Sequence, residues 1–318
     1  MVCYPFPMSG SRSLRAHVLL FAVVFIWGAT FVLVKDALHD ISPLLFNFLR
    51  MTLAFLCLAL FYRRHFRRMS RRSFLSGAVV GLCLATGYQF QTAGLRLTTP
   101  SKSAFITGLV VVLVPLLSAT PFLRPGGGDP PRWNAWCGAL AAFAGIVLLT
   151  TPARSGFAFS AIGIGDLLTL GCSLGFSLHV LALAHLAPKI AFEQLAILQT
   201  GFAALFMAIS MPLFERPFVH WTPRLVTALL IAAVLATAVA FTVQSWAQQY
   251  LPATHTALIL AFEPVFAWIT SFLLLGERLS LRASVGALLI LAGIALTEFL
   301  PAAVQPTAHE GVPLKESR

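Results

Sequence analysis

Charge is what this sequence has least of. Lys, Arg, Asp and Glu make up 10% of its 318 residues, and only 11 residues are acids. A soluble chain is charged at about a quarter of its positions. The polar surface is therefore too small to cover a water-soluble globule, and lipid must face much of the protein. Cysteine is also sparse. Cys3, Cys57, Cys83, Cys137 and Cys172 form no CxxC pair, and four of the five lie inside apolar runs. Their spacing indicates neither a disulfide framework nor a zinc site. No GxxxxGK[ST] loop is present, which excludes nucleotide hydrolysis in the P-loop manner, and no HExxH is present either. No cofactor and no metal is expected.

What the sequence has instead is apolar residues, 58% of the total, in long runs. Seven windows contain no charged residue: 16–34, 73–95, 103–123, 133–153, 167–188, 194–214 and 225–262. A membrane span needs about 20 residues, so the first six hold one helix each. The seventh holds a helix to about Tyr250 and the start of another. Leu251-Pro252-Ala253-Thr254 is the break, because the residue before a proline disfavours the helix. Three further stretches carry one charge each: 43–62 with Arg50, 253–275 with Glu263, and 283–300 with Glu298. The total predicts an all-α integral membrane protein of about ten transmembrane helices. The first run follows Arg12 and Arg15 as in a signal peptide, but no small-residue cleavage site follows it, so it reads as a retained helix. Connections are short and leave no room for a soluble domain.

The net charge of +11 is concentrated in one run, Arg63, Arg64, Arg67, Arg68, Arg71 and Arg72, between two spans. Between spans, such a run is a cytoplasmic loop that touches anionic lipid; nucleic-acid binding is the other reading of a basic balance and is not expected here. Lys and Arg are in excess on the inside when the amino terminus is cytoplasmic, which places both termini there. A plasma membrane is the expected location, or the inner membrane of a Gram-negative cell.

The two halves resemble each other. Pro115 is followed by Gly138-Ala139-Leu140 and Ala144-Gly145-Ile146, and Pro264 by Gly286-Ala287-Leu288 and Ala292-Gly293-Ile294. The proline stands 30 residues before the second glycine in one half and 29 in the other. This predicts a cytoplasmic segment 1–15, a first five-helix repeat 16–151, a second 161–300, and a disordered polar tail 301–318. An odd number of helices per repeat puts the second copy in the membrane upside down. Inverted repeats are a common device of secondary transporters, which open to either side around a midplane site. Gly77 and Gly81, and Gly171 and Gly175, mark close backbone packing within one chain or, failing that, a dimer face. Monomer and homodimer both stay open.

Several stretches carry a family resemblance. Gln244-Ser245-Trp246-Ala247-Gln248, Ala257-Leu258-Ile259, Glu263-Pro264-Val265-Phe266-Ala267, Leu275-Gly276-Glu277-Arg278-Leu279 and Gly286-Ala287 resemble the second repeat of EamA-type transporters of the drug/metabolite transporter superfamily. Trp27-Gly28, Phe48-Leu49-Arg50 and Ala104-Phe105-Ile106-Thr107-Gly108-Leu109 up to Pro115 resemble the first, and Gly165-Asp166-Leu167-Leu168 the opening of the second. One departure is Leu123-Arg124-Pro125, where the family often has Leu-Gly-Glu. The first hairpin thus lacks the acid that Glu277 supplies in the second. The resemblance implies a ten-helix fold, a central cavity, and export or exchange of amino acids, related metabolites or drugs.

Arg50 is the sharpest site signal. A charge well inside a span costs about 2.5–3.5 kcal/mol on insertion scales, so it must face the bundle interior, water or a partner. It suits a solute carboxylate. Glu263, inside a span beside Pro264, is a proton-coupling candidate, or a carboxyl that bonds the carbonyl freed by the proline. Gln89, Gln91, Gln199, Gln244, Gln248 and Gln249 form an unusual amide set. Amides donate and accept, which suits an uncharged or zwitterionic solute, and they also hold helices together. Gln199 occupies in the second half the place that Arg50 has in the first. Trp27, Tyr88, Trp246 and Trp268 are candidates for an aromatic cavity, with interface anchoring as the other reading. The expected solute-contacting set is therefore Arg50, Gln199, Tyr88, Trp27, Gln89, Gln244 and Trp246, with Pro115 and Pro264 as hinges. His179 and His255 lack companions at metal spacing and read as structural.

The function expected is a permease for a small metabolite such as an amino acid, with a multidrug-type exporter as the nearest alternative and an intramembrane enzyme acting on a lipid-linked substrate as the alternative of another class. An intramembrane enzyme would need paired acids, and no two acids lie at adjacent turns of one helix in the spans. A channel would need a filter loop or a ring of like residues.

Overall fold

Inside a bilayer every backbone N–H and C=O must be satisfied within its own segment, so apolar windows become helices. A computed structural model describes residues 10–124, 133–150, 162–251, 256 and 259–299. In the first repeat α1 spans Gly10–Ala37, α2 Pro43–Phe61 and α3 Arg71–Leu97. Next come α4, Pro100–Thr107, α5, Val110–Leu117, and α6, Trp133–Thr150. In the second, α7 spans Ile164–Leu186 and α8 Phe192–Phe214. A single long element follows, made of α9, Pro223–Ala233, a π-helical turn, Val234–Val239, and α10, Ala240–Ala247. Last are α11, Glu263–Leu275, and α12, Leu281–Phe299. Seven of these elements are long and apolar enough to cross a membrane, and three shorter apolar helices accompany them. Together they make the ten spans. Leu60, Phe61, Leu213 and Leu273 are among the apolar side chains left exposed on the outer faces.

Proline and hydroxyl residues set the helix starts. Thr99 accepts from Lys102 N ahead of α4, and Thr222 accepts from Leu225 N ahead of α9, each followed at once by proline. The hydroxyl satisfies an orphan N–H, and proline at the first turn has none to lose. Pro264 is used in this way too. Sequence alone placed Glu263 and Pro264 midway along a ninth helix, whereas α11 begins at Glu263, after a tight turn in which Phe262 N bonds Ile259 O, 3.2 Å away and three residues back. The fourth span of the first repeat is broken as well. At Gly108-Leu109 the bonds tighten, Val111 N to Gly108 O at 3.2 Å and Val112 N to Leu109 O at 3.0 Å. The two breaks meet, since a Cβ on Gly108 would lie 3.2 Å from Pro264 Cγ. Pro115 lies inside α5. The break at Pro252–Thr254, the loop 125–132 and the tail 301–318 lie outside the described residues.

The repeats interlock by a twofold rule. The third helix of the first repeat, α3, packs on α7 and α8, the first two of the second. Reciprocally, the α9–α10 element packs on α1 and α2. Likewise α1 packs on α11 while α7 packs on α4 and α5, and the last helices, α6 and α12, pack on each other. The repeated glycines have their reason here. A Cβ on Gly145 would stand 2.6 Å from Gly286 O, and one on Gly286 2.6 Å from Gly145 O. Only glycine lets these two backbones touch. Gly175 is likewise set against the Gly87 backbone, so the helical glycine pairs serve packing within the chain.

Charged contacts tie the repeats at one end of the bundle. Arg224 reaches Asp36 and Asp40, each at 3.3 Å, and the Thr222 hydroxyl donates to Asp40 at 2.6 Å. Lys102 pairs with Asp166 at 3.2 Å, and Ser101 donates to Glu277 at 2.8 Å. Glu215 accepts from Leu44 N and Leu45 N at 3.1 Å. At the opposite end, which carries the basic run, His65 faces Glu193 at 3.8 Å and Ser73 donates to Gln194 at 3.0 Å.

Candidate functional site

Between the repeats lies a cavity with about 730 Å³ of space free of atoms, part of it continuous with solvent. Its polar lining includes Arg50, Tyr88, Gln91, His179, Gln244 and Glu263, and Trp27, Phe176 and Phe241 supply aromatic walls.

Arg50 is 3% exposed and is held from three sides. Its Nε donates to Thr237 Oγ1 at 2.6 Å. One terminal nitrogen, Nη2, donates to Tyr88 Oη at 2.9 Å and to Ala236 O at 3.1 Å. The guanidinium carbon also stands 4.3 Å from the centroid of the Tyr88 ring, within cation–π range. The other nitrogen, Nη1, has no partner among the described residues, so two donors are left for the cavity.

The π-helical turn makes this arrangement possible. Ala240 N bonds Leu235 O, five residues back, and Thr237 O. In an α-helix that N–H would go to Ala236 O. Ala236 O accepts from Arg50 and from Trp27 Nε1, the latter at 2.8 Å. The Thr237 hydroxyl is fixed in turn by donating to Ala232 O at 2.7 Å. Such π turns occur frequently at functional sites.

Glu263 also lines the cavity and makes no hydrogen bond or ion pair among the described residues. Opening α11, its carboxyl sits where the helix dipole favours negative charge. Gln244 is 2% exposed, and its Oε1 has no partner among the described residues. An orphaned buried acceptor is costly and unusual.

The other expected residues fall in different places. Trp27, Tyr88 and Gln244 line the cavity as Arg50 does. Gln199 does not reach it. It is 0% exposed and lies behind His179, whose Nε2 is 2.9 Å from its Oε1. Gln89 holds helices together, bonding Ser210 at 3.2 Å and accepting from Asn47 at 3.3 Å. Trp246 stacks edge-on with Tyr250 at 5.2 Å, away from the cavity. Asn47 was missed. It is buried one turn before Arg50, donates to Tyr88 O at 2.8 Å and accepts from Thr92 at 3.0 Å, which pins α2 to α3. An amide three residues from an intramembrane arginine was the available signal.

A run with the shape of a nucleophile elbow, Gly171-Cys172-Ser173-Leu174-Gly175, lies mid-helix in α7. Ser173 is buried and its hydroxyl is engaged with Ile106 O at 2.7 Å and Thr169 O at 3.0 Å. The motif acts on a strand-to-helix turn that exposes the serine, and neither condition holds. No three His, Cys, Asp or Glu among the described residues come together as metal ligands.

The description of the EamA-like transporter family matches twice, over residues 14–151 and 163–299. The chain belongs to the EamA-like transporter family. An uncharacterized transporter of Archaeoglobus fulgidus is 33% identical over 285 residues, covering 90% of this chain and 86% of that protein. The uncharacterized transporter YoaV of Bacillus subtilis is 26% identical over 88% of this chain and 95% of its own. A solved crystal structure shares the fold with a TM-score of 0.65 at 20% identity, over 90% of this chain and 98% of that one. For this EamA protein the twofold-related matches coincide with the two interlocked five-helix units. It is a multi-pass membrane transporter of the drug/metabolite class.

Proposed function

We propose that the protein is a secondary carrier for a small zwitterionic metabolite with an apolar body, such as an aromatic amino acid. One observation carries this. Arg50 Nη1 and the Glu263 carboxyl are both left without partners among the described residues in the same cavity, among aromatic walls. A free cationic donor and a free carboxyl complement a carboxylate and an ammonium, and aromatic faces suit an apolar side chain. Arg50 would receive the solute carboxylate. Glu263 would meet the ammonium and, protonated when the site is empty, would couple a proton. Alternating access of the two repeats about this cavity is the expected mode. Outward movement is the direction implied by the family resemblance. The exposed Arg63, Arg64, Arg71 and Arg72 support a cytoplasmic side for the α2–α3 connection, with both termini on that side of the plasma membrane and anionic lipid as a neighbour.

The test is counterflow of labelled L-phenylalanine in proteoliposomes. Unlabelled phenylalanine inside should accelerate entry of label, Arg50→Ala should abolish that, and a proton gradient should alter it in the wild type but not in Glu263→Gln. Absence of trans-stimulation would sink the carrier reading for this solute class.

A further inference from the structure

The Arg50–Glu263 pair does not account for His179. This residue is 1% exposed, yet it lines the cavity, with its ring edge-on to Phe241 at 5.6 Å between centroids. Behind it stands a short polar chain. His179 Nε2 is 2.9 Å from Gln199 Oε1, and Gln199 Nε2 donates to Ser245 Oγ at 2.9 Å. An amide oxygen only accepts, so His179 Nε2 must carry the proton of the bond. Ser245 Oγ accepts from the other end of the amide, and with the amide so placed its oxygen faces the ring. A neutral imidazole has one N–H, so with the proton on Nε2 the other nitrogen is a bare acceptor. No group among the described residues bonds Nδ1. The chain therefore sets an acceptor on a residue of the cavity wall, which Gln244 also lines.

Resting on the carrier reading above, we propose that His179 contacts the solute directly. Its Nδ1 accepts an N–H from the solute, and Gln199 and Ser245 are positioning residues that hold the imidazole proton on Nε2. The solute must then carry a hydrogen-bond donor besides its anionic group. A carboxylate alone leaves His179 and Gln244 unpaired, and a site built to hydrogen-bond a donor rejects the analogue that lacks it. Selectivity for zwitterions over simple carboxylates is thus assigned to the second repeat, and anion binding to the first.

Two measurements test this. Nitrogen-15 NMR of histidine-labelled protein in nanodiscs, at mildly alkaline pH, reads the tautomer without any solute. His179 is expected to show a protonated Nε2 and an unprotonated Nδ1, and Gln199→Leu is expected to mix the two tautomers. A proton on Nδ1 in the wild type, or no change in Gln199→Leu, would overturn the relay. The second measurement compares counterflow of L-phenylalanine with that of 3-phenylpropionate, which lacks the amino group. The wild type should prefer phenylalanine. His179→Phe should lower that preference at least tenfold, and His179→Asn, which can still accept, should restore most of it. An unchanged preference in His179→Phe overturns the contact. If neither solute moves, the zwitterion reading and the contact fall together, and an intact tautomer result then marks the solute class as the point of failure.

Discussion

The second helix of each repeat carries one polar residue at its eighth position, Arg50 in α2 and Gln199 in α8. The two share a place in the duplicated scaffold but differ in what stands in front of them. Arg50 faces the cavity directly, because the π-helical turn offers it Thr237 Oγ1 and Ala236 O from behind. Gln199 has His179 between it and the cavity, and its amide is spent on that ring and on Ser245. The corresponding span of the first repeat, α3, runs as an unbroken α-helix. One repeat presents a charge, and the other presents a neutral acceptor through an intermediary. Duplication conserved the position and allowed the chemistry to diverge. The hairpins show the same divergence. Glu277 accepts from Ser101 and Ser271 in the second repeat, whereas Arg124 donates to Ser118 O and Ala119 O in the first.

The harshest test of this contrast makes the two sites alike. Gln199→Arg would bury a guanidinium with no acid at hand, a cost of about 3–5 kcal/mol. Loss of monodisperse protein on size-exclusion chromatography is expected, and a variant that folds and transports normally would show the sites to be interchangeable. Arg50→Lys keeps the charge but loses the planar fork that reaches Thr237, Tyr88 and Ala236 together. A fall of about tenfold or more in phenylalanine counterflow is expected, the size of one charge-assisted hydrogen bond at about 1.5–3 kcal/mol.

Where the repeats have stayed alike, equal effects are expected. Gly145→Ala and Gly293→Ala, at matching places in the two repeats, each drive a Cβ against a glycine carbonyl of the facing helix, Gly286 O at 2.6 Å and Gly138 O at 2.5 Å, at about 1–3 kcal/mol apiece. Thermal unfolding in detergent should show the same loss for both, and unequal losses would count against the twofold packing. The smallest effect concerns the tie between the repeats at Asp40. Its hydrogen bond from Thr222, aided by Arg224, holds its carboxyl below the usual carboxylate range. A lowered folded-state value means the stabilisation is present above the ordinary carboxylate range and is lost as pH falls through the folded value. Asp40→Asn should therefore melt slightly below wild type at neutral pH, and the gap should close in strong acid.

Much of this was legible in the sequence, for reasons that explain what was not. The spans could be read because charge ends a lipid-facing helix, and the glycine repeat because close backbone contact tolerates no other residue. Arg50 stood out because a charge in an apolar run has few places to go. The depth of Gln199 could not be read, since helical phase alone does not say what lies in front of a side chain. His179 was taken as structural because a lone histidine in an apolar run has no visible partner, and Gln199 lies 20 residues away in the sequence. Glu263 was placed in mid-helix because proline serves equally to kink a helix and to start one. The π turn left no mark at all, because Val234–Val239 contains neither glycine nor proline.

That turn also bears on how relatives of this chain are to be aligned. A π turn holds an additional residue, and one residue of an α-helix is worth about 100° of rotation. Everything from Ala240 onward is therefore swung about a quarter-turn from the line set by α9, and Gln244 and Ser245 meet the site in that rotated frame. A relative with one residue fewer between Pro223 and Gln244 would keep the span and the loop lengths yet aim a different set of side chains inward. In this fold a single-residue insertion or deletion inside a helix, invisible to composition, is a route to a new specificity that no point substitution provides.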